Sequence, residues 1–128
     1  MDISIYNVEK ACSVPKRITI VNGFTGETLF DEEGKTFDIF AYGMKSSIAN
    51  NILNAMQRKH GKKNNRTTEQ DRREGAEFLG KLTQGYSENI EGVDGPYKSA
   101  FDMYMAEDWI AKQVLTFTND ESNYDPNA

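Results

Sequence analysis

The stretch YMAEDWIAKQVLTF, residues 104–117, holds the only tryptophan of this 128-residue chain and lies close to its C-terminus. Its apolar residues recur at the spacing of one helix face, at Ile110, Val114 and Phe117. Such a stripe predicts an amphipathic helix whose apolar side must be covered. The stretch could close a core or present a surface to a partner, and one stripe cannot serve both fully.

A second apolar stripe, earlier in the chain, is the strongest candidate for that cover. It belongs to a helix predicted to begin at Thr67, with Gln70 at capping-box spacing. We expect the two helices to pack through a core signature of seven residues: Leu79, Leu82, Tyr86, Trp109, Ile110, Val114 and Phe117. If the indole ring is buried there, Trp109→Ala should cost about 3 to 5 kcal/mol, whereas a loss below about 1 kcal/mol would indicate a docking face.

The N-terminal half carries the pattern of β-strands. RITIVNGFTGETLF, residues 17–30, reads as a hairpin because two glycines supply its turn. TFDIFAY, residues 36–42, alternates and is rich in β-branched and aromatic residues. Residues 1–16 are expected to form a short strand or an N-terminal arm. The sequence therefore predicts one α+β domain over residues 1–128, with a small N-terminal antiparallel sheet of about three strands followed by three to four helices.

The strand predicted over residues 36–42 is also the candidate partner-binding element. It has aromatic residues on both faces, so each side needs a cover. An unpaired strand edge can accept a strand from another protein. The residues assigned to this site are Phe37, Ile39, Phe40 and Tyr42.

Charge is distributed unevenly along the chain. The net charge is −5, yet residues 58–73 carry +5, which leaves −10 for the remainder. This basic region spans the end of a helix that should start at Ser46 or Ser47 and stop at Gly61, and an exposed loop over residues 61–67. The candidate electrostatic patch comprises Arg58, Lys59, Lys62, Lys63 and Arg66.

Three interpretations of the basic patch are open. It can be a solvated loop between helices, or a docking patch that raises the rate of association with an acidic protein surface. A nucleic-acid contact is disfavoured because the whole chain is acidic and no aromatic residue is interleaved to stack bases. Residues 120–128 form a polar, acidic tail that we expect at the surface.

The sequence contains no pattern that points to a reaction. Adjacent carboxylates, such as Asp31 with Glu32, fall where turns and helix starts are expected, and acidic residues are ordinary there. DEEGK lacks the alternating oxygen ligands of a calcium loop, and the glycine turns lack the surroundings of a phosphate site. We therefore predict no catalytic, metal or cofactor-binding residues, and a protein that is not an enzyme.

The cellular setting is inferred from the cysteine content and the N-terminus. Cys12 is the only cysteine, so it cannot form an internal disulfide, which agrees with a reducing compartment. MDISIYNVEK has no apolar run typical of a signal peptide, and no stretch approaches the length of a membrane span. We expect a soluble intracellular protein without a membrane partner.

The segment LTQGYSENIEGVDGPYKSAFDMYMAEDWIAKQVLTFTNDESNY, residues 82–124, resembles the C-terminal part of small tailed-phage morphogenesis proteins. These are described as tail assembly chaperones or as phage structural proteins. TGETL, residues 25–29, and YGMKSS, residues 42–47, are similar as well. The positions that carry the resemblance in the C-terminal part are Gly85, Tyr86, Asn89, Ile90, Gly95, Trp109, Ile110, Gln113, Val114, Asp120, Asn123 and Tyr124.

The resemblance implies a non-enzymatic bacteriophage protein that acts by binding phage structural proteins, as a tail assembly chaperone in the host cytoplasm. The alternative is a virion component, such as a capsid decoration, neck or minor tail protein, whose N-terminal arm reaches a neighbouring subunit. A second alternative is a nucleic-acid-binding or host-interfering phage protein that uses the basic loop. A homo-oligomer is left open.

Overall fold

The computed structural model describes residues 2–61 and 67–127 and has the predicted α+β architecture. Within these two ranges, five α-helices, α1 to α5, span Val8–Cys12, Ser47–His60, Thr68–Leu82, Ala100–Ala106 and Asp108–Asn119. The five strands of the described residues, β1 to β5, span Lys16–Thr19, Asp38–Ala41, Thr83–Tyr86, Glu91–Gly92 and Gly95–Pro96. Two 3-10 helices, Ile3–Tyr6 and Glu121–Tyr124, lie near the termini.

The main sheet has three antiparallel strands in the order β1-β2-β3, and β4 and β5 form a separate hairpin. In the main sheet Ile18 faces Ile39, and Ile39 faces Tyr86. The third strand thus comes after α3, so the helices are interspersed with the strands rather than following them. The prediction that put Tyr86 on a helix was wrong, because the chain leaves α3 at Leu82 and pairs with β2.

The hairpin predicted over residues 17–30 is only partly formed. Beyond β1 the chain makes two isolated bridges, Val21 to Thr28 and Phe30 to Thr36. Tight turns separate them, and Gly26 adopts a positive φ of 75° that side-chain-bearing residues rarely take. Residues 20–37, which connect β1 to β2, form a loop excursion. These two strands therefore pair across a long irregular connection and not across a tight hairpin turn.

The N-terminal segment is helical rather than a strand. Asp2 Oδ1 accepts a hydrogen bond from Ser4 N at 2.9 Å, and Asn7 Oδ1 accepts one from Lys10 N at 2.9 Å. These side chains cap short helical turns, which competes with an extended conformation. The segment is anchored at Cys12, which is 1% exposed, while residues 2–10 are exposed.

The predicted helix boundaries in the middle of the chain are confirmed. Ser46 Oγ accepts from Ala49 N at 3.0 Å and caps α2, which ends before Gly61. At the start of α3 the side chains of Thr67 and Gln70 form the predicted capping box. Each of these signals acts within one helical turn, which is why the sequence alone reveals it.

The core lies between the inner face of the main sheet and the helices. Ile39, Leu82 and Val114 have no exposed surface and belong to one apolar cluster. Beyond the end of β1, the side chain of Gln113 pairs with the backbone of Val21. Gln113 Oε1 accepts from Val21 N, and Gln113 Nε2 donates to Val21 O, each at 2.9 Å. The α5 helix is thereby tied to the sheet by packing and by hydrogen bonds.

The C-terminal tail is less exposed than its composition suggests. Tyr124 is 1% exposed, and its hydroxyl donates to Ala41 O at 3.0 Å. Its ring lies edge-on to Phe117 at 5.8 Å between centroids. The acidic residues around Tyr124 are exposed, so the tail pins one aromatic ring into the core and leaves its charges in solvent.

Leu82→Ala should lower the free energy of unfolding by about 2 to 5 kcal/mol, because it leaves a cavity beneath the sheet. Leu115, which is 48% exposed on α5, provides the matched control. Leu115→Ala should change the free energy of unfolding by less than about 1 kcal/mol. Urea denaturation followed by circular dichroism measures both, and equal losses would contradict the placement of the core.

Gly43→Ala should destabilise the fold by about 1 to 3 kcal/mol through overpacking. A Cβ at Gly43 would lie 2.8 Å from Cys12 Sγ and 3.2 Å from Tyr124 Cδ2. Gly75 on α3 has open space, so Gly75→Ala should instead stabilise the helix by up to about 1 kcal/mol. Thermal unfolding of the two variants should therefore shift in opposite directions, and a neutral Gly43→Ala would contradict the tight packing of the N-terminal segment.

Candidate protein-binding site

The strand predicted to be an open edge is the central strand of the sheet. β2 pairs with β1 on one side and with β3 on the other, so its backbone has no free edge for a partner strand. Ile39 is fully buried, and Phe40 lies on the opposite face with the Arg17 guanidinium 5.8 Å from its ring centroid. Phe37 and Tyr42 are half-buried just outside the strand. The prediction failed because strand pairing between distant segments decides which strand is an edge.

An apolar groove next to the sheet is the strongest candidate site for a partner. Its cavity measures about 210 Å³. We call it the Trp109 groove, and its lining residues are Ile20, Leu29, Phe37, Ile90, Glu91, Tyr97, Glu107, Trp109 and Ile110. Of the predicted strand site it includes Phe37 only.

Trp109 forms part of the rim of this groove rather than of the core. Its side chain is 38% exposed, in contrast to the buried Ile110 and Val114 that follow it on α5. Trp109 lies in the first turn of α5, and its ring covers Gly23, where an added Cβ would be 3.5 Å from Trp109 Cε3. Trp109 therefore lies apart from the buried residues of the predicted core signature, because the first turn of α5 faces the loop excursion instead of α3.

Glu107 holds two aromatic walls of the groove in place. Its Oε2 accepts a hydrogen bond from Trp109 Nε1 at 2.6 Å, and its Oε1 accepts one from the Tyr97 hydroxyl at 3.1 Å. Burial, and then the hydrogen bond and negative charge of Glu107, raise the pKa of Tyr97, so the phenol stays a donor at neutral pH. The Tyr86 hydroxyl donates to Tyr97 O at 3.2 Å and extends this network to β3.

Two large apolar side chains that lie close in sequence to residues at the groove are in full contact with solvent. Phe24 follows Gly23, the residue beneath the Trp109 ring, and is fully exposed. Val93 is fully exposed in the turn between β4 and β5, two residues after the groove residue Glu91. Exposed apolar groups clustered around a groove are typical of binding surfaces. Sequence reasoning missed them, although a phenylalanine and a valine beside turn glycines were an available signal.

An acidic trough adjoins the Trp109 groove and shares Phe37 and Glu91 with it. The trough measures about 1190 Å³. Its acidic lining residues are Asp31, Glu32, Glu33, Asp38, Glu88 and Glu91, and Lys35 is the only lysine or arginine among the described lining residues. Hydrogen bonds, first from Asn89 and then from backbone amides, lower the pKa of Asp31, so its charge persists into mild acid.

The basic patch is only partly within the described residues. Arg58 and Lys59 lie on the last turn of α2, whereas Lys62, Lys63 and Arg66 fall outside the part of the chain that the structure describes. Lys59 Nζ lies 3.1 Å from Glu77 Oε1, and His60 Nε2 lies 3.0 Å from Glu77 Oε2. Glu77 on α3 thus ties the end of α2 to the neighbouring helix and neutralises part of the patch.

An exposed apolar segment lies at the N-terminus. Its large side chains in contact with solvent are Ile3, Ile5, Tyr6 and Val8, and Val14 follows in the loop after α1. The segment rests on the 3-10 helix Glu121–Tyr124 and encloses a cavity of about 230 Å³ with it. This arrangement is consistent with an arm whose root is fixed and whose apolar side chains stay largely exposed.

The remaining groups that could support other chemistry are the Cys12 thiol and the side chains that bind metals. Burial raises the pKa of the Cys12 thiol, so it stays protonated at neutral pH. Across residues 2–61 and 67–127, no group of three or more His, Cys, Asp and Glu side chains could hold a metal ion. Over the same ranges, no helix is long and apolar enough to cross a membrane.

Comparison of the chain with models of protein families, with curated proteins and with solved structures finds no match. The resemblance to tailed-phage morphogenesis proteins therefore stays a prediction. A role for the Trp109 groove rests on the contacts, burial and charge of its own residues and of those around it.

The Glu77 contacts predict a pH-dependent contribution to stability. Burial alone would raise the pKa of Glu77, but hydrogen bonds from Lys59 and His60 lower it overall. A carboxyl with a lowered pKa contributes stability above its unfolded pKa of about 4.3, and that contribution is lost as the pH falls through the folded value. Glu77→Gln should therefore be less stable than the wild type at pH 6 to 7, and the difference should shrink toward pH 3.

Urea denaturation of the two proteins at several pH values measures this difference. Glu69→Gln, which changes an exposed carboxylate at the start of the same helix, controls for the loss of one negative charge. A difference for Glu77→Gln that is unchanged between pH 7 and pH 3 would contradict the role of the ionised carboxylate.

Proposed function

We propose that this protein is a non-enzymatic morphogenesis protein of a tailed bacteriophage that acts by binding another assembly component, as a tail assembly chaperone. The phage setting rests on the resemblance of residues 82–124 to tailed-phage morphogenesis proteins, and the observation that carries the binding role is the Trp109 groove, an apolar cavity whose tryptophan wall is partly exposed. Tryptophan and tyrosine are enriched where protein interfaces gain most of their binding energy. Fully exposed Phe24 and Val93 beside the groove extend the surface that a partner would cover.

The construction of the groove suits binding more than folding. Glu107 fixes the indole and the Tyr97 ring by hydrogen bonds, so a partner meets walls that are already ordered. Pre-ordered side chains reduce the entropy lost on binding. A chaperone needs such a surface because it must cover apolar segments of a client before the client finds its place in the assembly.

The exposed N-terminal segment favours a second candidate function, a virion component. Ile3 is 75% exposed and Tyr6 is 63% exposed, although their segment is anchored at the buried Cys12. An anchored arm with outward apolar residues can pack on a neighbouring subunit of a particle. Peptide mass spectrometry separates the two functions: a chaperone is abundant in the infected-cell lysate and absent from purified particles, whereas a virion component occurs at a fixed copy number per particle.

Complementation tests whether the groove carries the function. A phage that lacks this gene is supplied with the wild-type protein, Trp109→Ala or Leu115→Ala, each checked for folding by thermal unfolding. Because both changes remove an exposed apolar side chain from α5, Leu115→Ala is the matched control. We expect Trp109→Ala to reduce the yield of infectious particles by at least about tenfold, because hot-spot aromatic residues supply much of the binding energy of an interface, and Leu115→Ala to leave it unchanged.

A folded Trp109→Ala protein that restores the wild-type yield would overturn the assignment of function to the groove. If the wild-type gene itself is dispensable for particle formation, the morphogenesis role is wrong as well.

A further inference from the structure

The Trp109 groove and the acidic trough form one continuous surface with two chemistries. Phe37 and Glu91 line both, so a bound segment that leaves the apolar groove at this boundary enters the trough. The groove has a volume of about 210 Å³, which gives room for a large apolar side chain. The trough is broader and shallower than this and therefore suits flanking residues of the same segment.

Several carboxylates of the trough are available to a ligand in solvent. Asp38 is occupied, since its two oxygens accept from Thr19 and Thr36 at 2.9 Å each. Glu33 lies 3.2 Å from Lys35, in an exposed ion pair. The exposed side chains of Glu32, Glu88 and Glu91 carry the remaining negative charge of the trough toward the solvent.

We infer that this surface binds a protein segment in which a large apolar residue is flanked by lysine or arginine. The apolar residue fills the Trp109 groove, and the cations lie in the acidic trough. Attraction between opposite charges acts over about a Debye length, and repulsion between like charges disfavours acidic partners. The trough therefore selects among apolar segments and adds little affinity. This inference rests on the proposed function, because it names the class of partner for the same groove.

The two parts of the surface require each other for selectivity. An apolar groove alone accepts any exposed apolar segment, which would make a binding protein indiscriminate. Carboxylates at the exit of the groove penalise acidic segments because like charges would be brought together. A basic segment, in turn, gains its anchor from Trp109 and Tyr97, which line the groove and not the trough.

Selection from a random peptide display library on the immobilised full-length protein tests the inference. We expect the enriched peptides to combine one large apolar residue with at least two lysine or arginine residues. The best peptide is then synthesised together with a counterpart in which each cation is replaced by glutamate. Because Trp109 is the only tryptophan, its fluorescence in the wild-type protein reports occupation of the groove by peptides that lack tryptophan.

The variant Glu88→Gln with Glu91→Gln removes two charges from the trough while keeping the side-chain size. Its charge-matched control is Glu9→Gln with Glu69→Gln, which changes two exposed carboxylates outside both cavities. We expect the basic peptide to bind the wild type at least about tenfold tighter than its glutamate counterpart, and to weaken severalfold on the trough variant and in high salt but not on the control.

Enrichment of neutral or acidic peptides, equal binding to the trough variant and the control, no change in Trp109 fluorescence, or no enrichment at all would each overturn the inference. These failures differ from a failure of the proposed function. If complementation depends on Trp109 but the enriched peptides are neutral, the groove is functional and its selectivity is misassigned. If basic peptides bind as expected but Trp109→Ala supports full particle yield, the surface exists and the assembly role of the groove is wrong.

Discussion

Pairing of the short central strand β2 with both of its neighbours is the constraint on which the rest of the structure depends. β1 reaches it from before the loop excursion, and β3 reaches it from after two helices, so this strand joins the two halves of the chain. Ile39 and Ala41 on its inner face are fully buried beneath the helices. Hydrogen bonds on both edges also remove this strand from the surfaces that a partner can use.

The candidate site forms where the connections between paired strands meet. The excursion between β1 and β2 and the β4–β5 hairpin come together beside the first turn of α5. Trp109 meets Gly23 there, and Glu107 fixes the indole from the same helix start. The groove is therefore bounded by loops but ordered by one carboxylate, which explains how an aromatic surface can be exposed without being loosely held.

Folding changes which charged residues are neighbours. The basic run over residues 58–73 is prominent in the sequence, yet Lys59 is paired with Glu77 in the described structure. Six of the twenty acidic residues, from the two segments 31–38 and 88–91, come together in one trough beside the groove. Convergence of charge on an apolar site favours selective recognition of a basic partner, whereas the same charges spread over a surface would mainly keep the protein dispersed.

The sequence by itself determined the fold class, a helix start at Ser46 or Ser47, a second helix start at Thr67, the stop at Gly61 and the apolar stripe of α5. Capping hydrogen bonds and helical periodicity act within one or two turns, so neighbouring residues suffice to reveal them. Only the tertiary structure decided that Tyr86 lies on a strand, that β2 is central, and that Trp109 lines a groove instead of the core. Strand order and the rim of a cavity are set by contacts between segments far apart in the chain, and residue types along one segment carry little information about which distant segment will meet them.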